Sequence, residues 1–269
     1  MGVAMVGEGD TLGRVVAAIP AYNEAASIAE VVRATRRYVD EVVVVDDGSS
    51  DATAQIARGA GASVVRHHVN RGKAAGIVTA CRAAAERGAD VLVLLDGDGQ
   101  HDPDEIPRLL APVRRGEADV VVGSRFLDLR NPIPFYRTIG QRVLNLATHL
   151  GSGIPCSDSQ CGYRALTRRA FTALELRETF LHGLAVESEM QFEIAARGLR
   201  LAEVPVYVRY DEKARRNPAK HGFGVLYRVV CLSARYRSGA RPVGEETSIE
   251  APDLDGRDSV APVGAGRVE

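Results

Sequence analysis

Residues 91–102 read Val-Leu-Val-Leu-Leu-Asp-Gly-Asp-Gly-Gln-His-Asp. The five apolar residues at the start of this stretch predict a buried strand, because strands covered by helices on both faces are almost continuously apolar. The strand ends at two carboxylates, Asp96 and Asp98, and open α/β sheets bind their ligands at the carboxyl ends of the strands. The stretch therefore predicts an α/β fold with a binding site at this edge of the sheet.

The two carboxylates indicate what is bound there. Desolvating two neighbouring negative charges is costly unless something positive lies between them. Magnesium and manganese prefer oxygen ligands and are commonly held by one or two carboxylates together with phosphate oxygens. We therefore expect Asp96, Asp98 and Gln100 to hold Mg²⁺ or Mn²⁺ against a substrate phosphate. The alternative is an acidic, glycine-rich turn with no ligand.

The composition is that of a globular domain. The chain has 269 residues, of which 45% are apolar and 26% charged, and its formal net charge is −1. These values argue against disorder and give no support for binding to nucleic acid. One catalytic domain with short appendages is the simplest organisation for a chain of this length.

The cysteines and the apolar runs indicate the cellular compartment. The four cysteines form neither a Cys-x-x-Cys pair nor an extracellular framework, so we expect reduced thiols. Residues 1–13 lack the basic start and apolar core of a signal peptide. No apolar run approaches the roughly 20 residues that a membrane-spanning helix needs. The sequence therefore predicts a cytoplasmic protein.

Strands and helices alternate through the first half of the chain. Apolar, β-branched runs predict strands at residues 14–19, 42–45, 63–66, 91–95 and 118–122. Helical spacing predicts helices at residues 25–38, 52–58 and 74–87. Strands that alternate with helices, with polar clusters at the strand ends, are typical of a mostly parallel, doubly wound sheet with helices on both faces.

The second half is less regular. Helices are predicted at residues 136–150, 187–197 and 222–236, a turn and strand at 158–166, and a strand at 201–209. We expect a flexible start at 1–13, a catalytic domain over 14–221, an amphipathic helix at 222–237 and a disordered tail at 238–269.

Six motifs in order resemble one enzyme family. They are Pro20-Ala21-Tyr22-Asn23-Glu24, Asp46-Asp47-Gly48-Ser49-Ser50-Asp51, Asn70-Arg71-Gly72-Lys73, Asp96-Gly97-Asp98-Gly99-Gln100-His101, Gly123-Ser124-Arg125 and Cys161-Gly162-Tyr163-Arg164. Together they resemble the inverting family-2 glycosyltransferases of GT-A fold. Within that family they are most similar to the dolichyl-phosphate mannose synthase group, which moves a sugar from a nucleotide to a polyprenyl phosphate. The resemblance extends from about residue 14 to about residue 220.

The resemblance implies a binding site for a nucleotide diphosphate sugar, GDP-mannose or UDP-glucose. The residues that it assigns to this donor are Pro20, Ala21, Tyr22, Glu24, Asp46, Asp47, Lys73, Asp96, Gly97, Arg216 and Lys220. Asp46 would accept hydrogen bonds from the nucleobase. Lys73 is one of only three lysines, and it opens a predicted helix, where backbone amides favour an anion. The alternatives are that residues 20–24 form only a turn and that Asp47 only caps a helix.

The resemblance also implies a polyprenyl phosphate acceptor bound by Arg125 and Arg137. A guanidinium offers a phosphate two parallel hydrogen bonds. The assignment of Arg137 rests on its place in a predicted helix and not on a motif. The alternative is that Arg137 is an exposed surface arginine. A phosphate acceptor is already largely ionised near neutral pH and needs cations, whereas an alcohol acceptor needs a carboxylate base.

Asp158, Glu187 and Glu189 are the candidate bases or sugar ligands. Glu187 and Glu189 are two residues apart, so on a helix they would not share a face. We therefore expect only one of them to point inward, and we prefer Glu187. The catalytic group implied by the resemblance comprises Asp98, Arg125, Asp158 and Glu187, while residues 161–164 would form the floor beneath the sugar.

Two segments near the end of the motif region have two interpretations each. Residues 215–220 resemble the basic loop that closes over the diphosphate in this family, or they form a solvated surface loop. The predicted helix at 222–236 lies in a membrane interface as a peripheral attachment, or it packs on the catalytic core. A membrane partner subunit would be a third way to reach a polyprenyl phosphate.

Two other functions remain open from the sequence. One is a glycosyltransferase that acts on a soluble alcohol or a glycan. The other is a subunit that binds a nucleotide sugar without catalysis, against which the intact Asp96, Asp98 and Gln100 argue.

Overall fold

The computed structural model describes residues 13–128, 131, 135–176, 186–208 and 218–237, with side chains omitted for 135–137, 218–223 and 237. Residues 1–12 of the expected flexible start, the expected disordered tail at 238–269 and residues 215–217 of the expected basic loop lie outside these residues. Residues 218–220 of that loop belong instead to a helix. The strands are β1 (Val15–Ala21), β2 (Glu41–Asp46), β3 (Ser63–Arg66), β4 (Val91–Leu94), β5 (Val120–Ser124), β6 (Arg164–Thr167) and β7 (Leu201–Pro205). The helices are α1 (Ile28–Thr35), α2 (Thr53–Gly59), α3 (Lys73–Glu86), α4 (Ile106–Arg114), α5 (Phe135–Ser152), α6 (Arg168–Ala173), α7 (Val186–Ala196) and α8 (Pro218–Arg237).

The seven strands form one sheet in the order β3-β2-β1-β4-β6-β5-β7. All neighbouring pairs are parallel except the two made by β6, which runs antiparallel to β4 and β5. The predicted mostly parallel α/β sheet is therefore confirmed. The carboxyl ends of β1, β2, β4 and β5 lie at the same edge and place their following loops together.

Apolar residues explain why these strands are central. Every residue of β4 and β5 is buried, and β1 and β2 each have a single half-buried residue. Both faces of the sheet are therefore covered, as expected for β-branched runs between helices. Helix α1 buries Ile28, Val31, Val32 and Thr35, which is the spacing of one helical face.

Helix α3 approaches the sheet closely because it is rich in alanine and glycine. A Cβ atom added at Gly76 would lie 3.1 Å from the Cβ atom of Pro20 in β1. This close packing fixes the first turn of α3 above the end of β1. Lys73, the first residue of the helix, reaches Asp96 in the loop that follows β4.

A second, smaller apolar cluster joins the last three long helices. Leu144 of α5, Phe192 of α7 and Val225, Val229 and Leu232 of α8 form this cluster. Helix α8 begins at Pro218, four residues before the predicted start. One face of α8 therefore packs on the catalytic core, as one of the two interpretations of the sequence expected.

Candidate active site

Lys73 lies at the centre of the candidate site. Its Nζ atom is 2.9 Å from Oδ1 of Asp96 and 2.8 Å from Oε1 of Glu187. The three residues come from the start of α3, the loop after β4 and the first turn of α7. The fold thus joins two residues assigned to the donor with the preferred candidate base, across 114 positions of sequence between Lys73 and Glu187.

The charges of this cluster are mutually stabilised. Burial disfavours the charged form of Lys73, but Asp96 and Glu187 outweigh it and raise the pKa of the ammonium above its ordinary value. Burial likewise opposes ionisation of Asp96, yet nearby positive charge, above all that of Lys73, lowers the pKa of this carboxyl to about 2. Lys73 is therefore a cation and Asp96 an anion throughout the pH range in which enzymes are assayed.

Asp98 differs from Asp96 because its carboxylate faces solvent. The residue is exposed, and its Oδ1 accepts a hydrogen bond from the backbone N–H of Gln100 at 3.0 Å. The bond closes the short turn that carries Asp98, and Gly99 in that turn has a φ of 79°. The turn directs one carboxylate into the open space beyond the sheet.

The donor atoms present fit a divalent cation that a diphosphate shares. Among the residues that the structure describes, no group of three His, Cys, Asp or Glu side chains is arranged to hold a metal. Asp96 and Asp98 supply carboxylate oxygens, and Gln100 is half-buried beside them. Magnesium is usually held in this manner, by one or two carboxylates with substrate phosphates completing its shell.

The segment of residues 161–164 lies directly against this cluster. A Cβ atom added at Gly162 would be 3.1 Å from Nζ of Lys73 and 3.3 Å from Oδ2 of Asp96. Tyr163 stacks on His101 with ring centroids 4.9 Å apart and donates a hydrogen bond to the carbonyl of Asp102 at 2.9 Å. The absence of a side chain at Gly162 therefore gives Lys73 room to reach Asp96.

His101 fixes the backbone at the start of the acidic loop, residues 96–102. Its Nδ1 accepts a hydrogen bond from the backbone N–H of Asp96 at 3.1 Å, and burial lowers the pKa of the imidazole. The acceptor role of Nδ1 places the proton of the neutral ring on Nε2. The ring is thus a fixed support for the backbone at Asp96.

Arg125 and Asp158 form the second charged group of the site. Nε and one terminal nitrogen of Arg125 lie 2.6 and 2.7 Å from the two carboxylate oxygens of Asp158. The Asp158 side chain is fully buried, whereas 23% of the Arg125 side chain is exposed. A bidentate contact of this kind fixes the plane of the guanidinium. Asp158 therefore holds Arg125 in place at the end of β5.

A carboxylate that the sequence did not suggest holds Asp158 in turn. Oε1 of Glu203, in β7, accepts hydrogen bonds from the backbone N–H and hydroxyl of Ser157 and from the backbone N–H of Asp158. Asn145 donates to the carbonyl of Ser157. No local motif marks Glu203, because it acts across more than 40 residues of sequence. Its acidic side chain within a predicted strand was the only available signal.

The expectation that only one of Glu187 and Glu189 points inward is wrong. The two residues are 8% and 4% exposed. Glu187 faces Lys73, and Glu189 faces Arg228 of α8 with a 3.6 Å separation between Oε2 and the guanidinium. Helix α7 is covered on opposite sides by the site and by α8, so residues on two faces are buried. Glu187 is the one that contacts Lys73, and its role as a base or sugar ligand stays a prediction.

Asp46 and Asp47 are held within the protein in this structure. Asp46 is fully buried, accepts a hydrogen bond from the N–H of Ser49 and lies 3.0 Å from Nε of Arg66. Asp47 accepts hydrogen bonds from the backbone N–H groups of Arg71 and Gly72, each at 2.8 Å. Asp46 is thus not accessible to a nucleobase here, while the Arg66 side chain beside it is 53% exposed.

The loop after β1 is tied to the loop after β2. The backbone N–H of Asn23 donates to the Ser49 hydroxyl at 2.9 Å, and Oδ1 of Asn23 accepts from the N–H of Ser50 at 2.9 Å. Asn23 has a φ of 56°, a conformation that asparagine tolerates better than most residues. Tyr22 beside it is 45% exposed. Pro20 and Ala21 are the last residues of β1. Residues 22–24 follow as a loop that these hydrogen bonds fix at the edge of the site, with the Tyr22 ring facing solvent.

The other donor and acceptor residues divide into two groups. Gly97 is buried, and its carbonyl accepts a hydrogen bond from the Ser27 hydroxyl at 2.7 Å, so it shapes the acidic loop. Arg137 and Lys220 lie in α5 and α8, but their side chains fall outside the described part of the chain, as does all of Arg216.

The fold and this edge define an α/β enzyme of the kind that binds its ligand at the carboxyl ends of parallel strands. A family model described as glycosyl transferase family 2 matches residues 16–174, and the chain belongs to this family. It is a glycosyltransferase of GT-A type fold, as the motifs predicted.

Two characterised relatives cover most of the chain. A UDP-N-acetylglucosamine–dolichyl-phosphate N-acetylglucosaminyltransferase of Methanococcus voltae is 31% identical in an alignment of 245 positions that covers 80% of this chain and 94% of that protein. An undecaprenyl-phosphate mannosyltransferase of Micrococcus luteus is 33% identical over 202 residues, covering 72% of this chain and 82% of the relative. The names differ in the sugar and agree in a polyprenyl phosphate.

A solved structure shows the same fold. Glucosyl-3-phosphoglycerate synthase from Mycobacterium tuberculosis, in complex with UDP, superposes with a TM-score of 0.64 and 25% identity. The match covers 86% of this chain and 82% of that one. Other crystals of that synthase contain UDP with Mn²⁺ or with Mg²⁺.

Proposed function

We propose that this enzyme transfers a hexose, mannose by preference and glucose otherwise, from a nucleotide diphosphate sugar to a polyprenyl phosphate with inversion. The observation that carries the proposal is the pairing of the two candidate bases. Glu187 is bound to Lys73, and Asp158 is bound to Arg125. The polyprenyl phosphates in the names of the relatives support the same acceptor class.

The pairing favours a phosphate over an alcohol as the acceptor. An alcohol must lose a proton as it attacks, which requires a carboxylate that is free to accept it. Both oxygens of Asp158 are engaged by Arg125, and its side chain is fully buried. Oε1 of Glu187 contacts the ammonium of Lys73, so neither carboxylate is placed to take up a proton from an alcohol. A phosphate monoester, with a second pKa of about 6, arrives already ionised near neutral pH. It requires cationic groups for binding, and the site supplies Arg125.

The donor is proposed to bind across the loop of Asp96 and Asp98. These carboxylates and Gln100 would hold Mg²⁺ or Mn²⁺, which neutralises charge on the diphosphate leaving group. Lys73 holds Asp96 in place and adds a positive charge at the N-terminus of α3, where backbone amides also favour an anion. Tyr22 and Arg66 are the exposed groups near the ends of β1 and β3 that a nucleoside would meet.

Arg125 is proposed to bind the acceptor phosphate while Asp158 orients it. The bidentate contact with Asp158 fixes the plane of the guanidinium, and 23% of the Arg125 side chain is exposed. Arg125 follows β5 and Asp96 follows β4, and the carboxyl ends of these two strands lie at the same edge of the sheet. The acceptor phosphate would thus lie beside the departing sugar. Arg137 in α5, and Arg216 and Lys220 in the basic segment, remain proposals from the family resemblance.

Membrane contact is proposed to involve α5 together with α8. In the described part of the chain, Ile139, Val143, Leu146 and Leu150 form an exposed apolar stripe on α5, and Tyr227 and Val230 are exposed on α8. Neither helix contains an acidic residue, so anionic lipid would not be repelled. No helix among the described residues is long and apolar enough to cross a bilayer. Co-flotation with anionic vesicles, lost when Val143 and Leu146 become Gln, tests this contact.

The decisive experiment is a product analysis. The purified protein is incubated with Mn²⁺, a panel of GDP- and UDP-sugars and a short polyprenyl phosphate, and the lipid product is identified by mass. We expect one hexose to be added to the lipid phosphate, with GDP-mannose the preferred donor. Transfer only to a soluble sugar or alcohol would instead establish the alternative acceptor. Binding of nucleotide and Mn²⁺ without any transfer would point to a non-catalytic nucleotide-sugar subunit.

A further inference from the structure

A chain of three buried polar side chains lies behind Lys73. Nδ1 of His67 is 2.7 Å from Oδ1 of Asp47, and Nε2 of His67 is 2.9 Å from the hydroxyl of Thr79. The three residues are only 5%, 6% and 7% exposed. They join the residue after β3 to the residue after β2 and to the second turn of α3.

This network is more than a means of filling the interior. Buried ionic and polar groups seldom add more stability than apolar side chains of similar volume, because removing them from water is costly. What they do add is geometry, since each hydrogen bond fixes the direction of its partner. The hydrogen bonds around His67 therefore indicate that the network fixes the conformation of a nearby backbone segment.

The backbone held by this network is the entry to α3. Asp47 accepts hydrogen bonds from the N–H groups of Arg71 and Gly72. Gly72 is the N-cap of α3, with a φ of 89° and no side chain of its own to cap the helix. Lys73 is the next residue. The position of its backbone thus depends on the Asp47 carboxylate, and that carboxylate is oriented by His67.

We propose that His67 is a positioning residue that acts through Asp47 to hold Lys73 where it meets Asp96 and Glu187. The contacts fix the tautomer of the neutral ring, because the Asp47 carboxylate can only accept a hydrogen bond. Nδ1–H therefore donates to Asp47, and Nε2 accepts from the Thr79 hydroxyl. Thr79 keeps the ring in this orientation. The effect of His67 on the position of Lys73 can be measured without knowing the substrate. Its effect on turnover rests on the proposed function.

The small number of lysines allows the environment of Lys73 to be followed directly by NMR. Lys73 is one of three lysines, the others being Lys213 and Lys220. In protein labelled with ¹³Cε-lysine, the Lys73 signal is assigned by its loss in Lys73→Met. We expect His67→Leu to move this signal at fixed pH, because the ammonium leaves its contacts with Asp96 and Glu187. His68→Leu, which changes the exposed neighbouring histidine, should leave it in place.

Two milder variants protect the test against a failure of His67→Leu to fold. His67→Asn keeps a donor at the position of Nδ1 and should retain the parental Lys73 signal. Thr79→Val removes only the hydroxyl partner and should move the signal by less than His67→Leu does. A Lys73 signal that is unchanged in folded His67→Leu or, if that variant does not fold, unchanged in Thr79→Val would overturn the proposal.

Kinetics add a second, independent comparison. In the active enzyme we expect His67→Leu to lower kcat/KM about tenfold, a typical effect for groups that orient a functional side chain. In a Lys73→Met background the same change should have an effect of about twofold or less, because the pathway through Lys73 is already removed. Equal losses in both backgrounds would show that His67 acts elsewhere. Absence of all turnover with an altered Lys73 signal would count against the proposed function alone.

Discussion

The two halves of the sheet carry charged side chains at their strand ends in different ways. In the parallel half, β1 to β4, Asp98 is exposed and Asp96 is 30% exposed beside Lys73. In the half that contains the antiparallel β6, Asp158 is fully buried under Arg125. The first half thus offers negative groups to an incoming cation, and the second offers a cation whose charge is balanced from within.

Under the proposed function, this difference would let one edge of the sheet bind two anionic substrates. Accessible carboxylates would hold a cation against the donor diphosphate. A buried carboxylate would orient Arg125 toward the acceptor phosphate. Substitutions at the strand ends of the parallel half of the sheet should therefore change the dependence of the rate on metal. Those in the half that contains β6 should change the KM for the acceptor.

The largest effect is expected for Asp98→Asn. The change removes the exposed carboxylate, and we expect turnover to fall about a hundredfold or more, a typical loss when a stabiliser of transition-state charge is removed. Thermal stability should be unchanged, because Asp98 is exposed. Steady-state rates measured over a range of Mn²⁺ concentrations check this. Glu117→Gln, an exposed carboxylate paired only locally with Arg115, serves as the control, and a similar loss in both variants would refute the assignment.

The next effect is expected at Arg125. Arg125→Lys keeps the positive charge but loses the bidentate geometry, and we expect KM for the acceptor phosphate to rise about tenfold with KM for the donor within about twofold. Arg125→Ala is less informative, since it leaves Asp158 buried without its partner and destabilises the fold by about 3–5 kcal/mol. Initial rates with each substrate varied in turn distinguish the two constants. A rise confined to the donor would contradict the division between the halves.

A smaller effect is expected for Glu187→Gln. If the acceptor is a phosphate, no base is needed, and we expect kcat to fall by less than about tenfold, through a looser Lys73 alone. A general base would instead account for a loss of about a hundredfold to ten-thousandfold. The measurement is kcat with a polyprenyl phosphate at saturating donor. A loss in the larger range, with the stability of the protein intact, would favour an alcohol acceptor.

The acid stability of the protein should report the Lys73–Asp96 contact. The pKa of Asp96 is lowered to about 2 in the folded protein, so its contribution is present above the unfolded pKa and is lost as the pH falls through the folded value. We expect the free energy of unfolding to decline between about pH 4 and pH 2. In Asp96→Asn the decline should be shallower by on the order of 1 kcal/mol. Urea unfolding at several pH values checks this, and parallel curves for the two proteins would contradict it.

The sequence predicted the parallel half well because its signals are local. The strands at residues 42–45, 63–66 and 91–95 and the helix at 74–87 agree with β2, β3, β4 and α3 to within one residue or so. Helices α4 and α6 were not predicted. Pro103, Pro107 and Pro112 interrupt the region of α4, and α6 has only six residues, too few to show a helical period.

The second half shows what a single sequence does not contain. The antiparallel course of β6 depends on the strands between which it inserts, and no local pattern specifies them. The partners of Asp158 and Glu187 lie 33 and 114 residues away in the chain. The motifs identified the charged residues, but only the fold shows that the candidate bases are paired with cations. The same holds for Glu203 and His67, whose roles arise from contacts with loops distant in sequence.

The most direct test of this account is the location of the metal. Crystals grown with Mn²⁺ and GDP or UDP allow the ion to be placed by its anomalous scattering. We expect one peak at about 2.2 Å from a carboxylate oxygen of Asp98, with diphosphate oxygens in the same coordination shell. A nucleotide bound with no ion at Asp98, or an ion held by other residues, would contradict the claim that these carboxylates bind the donor through a cation.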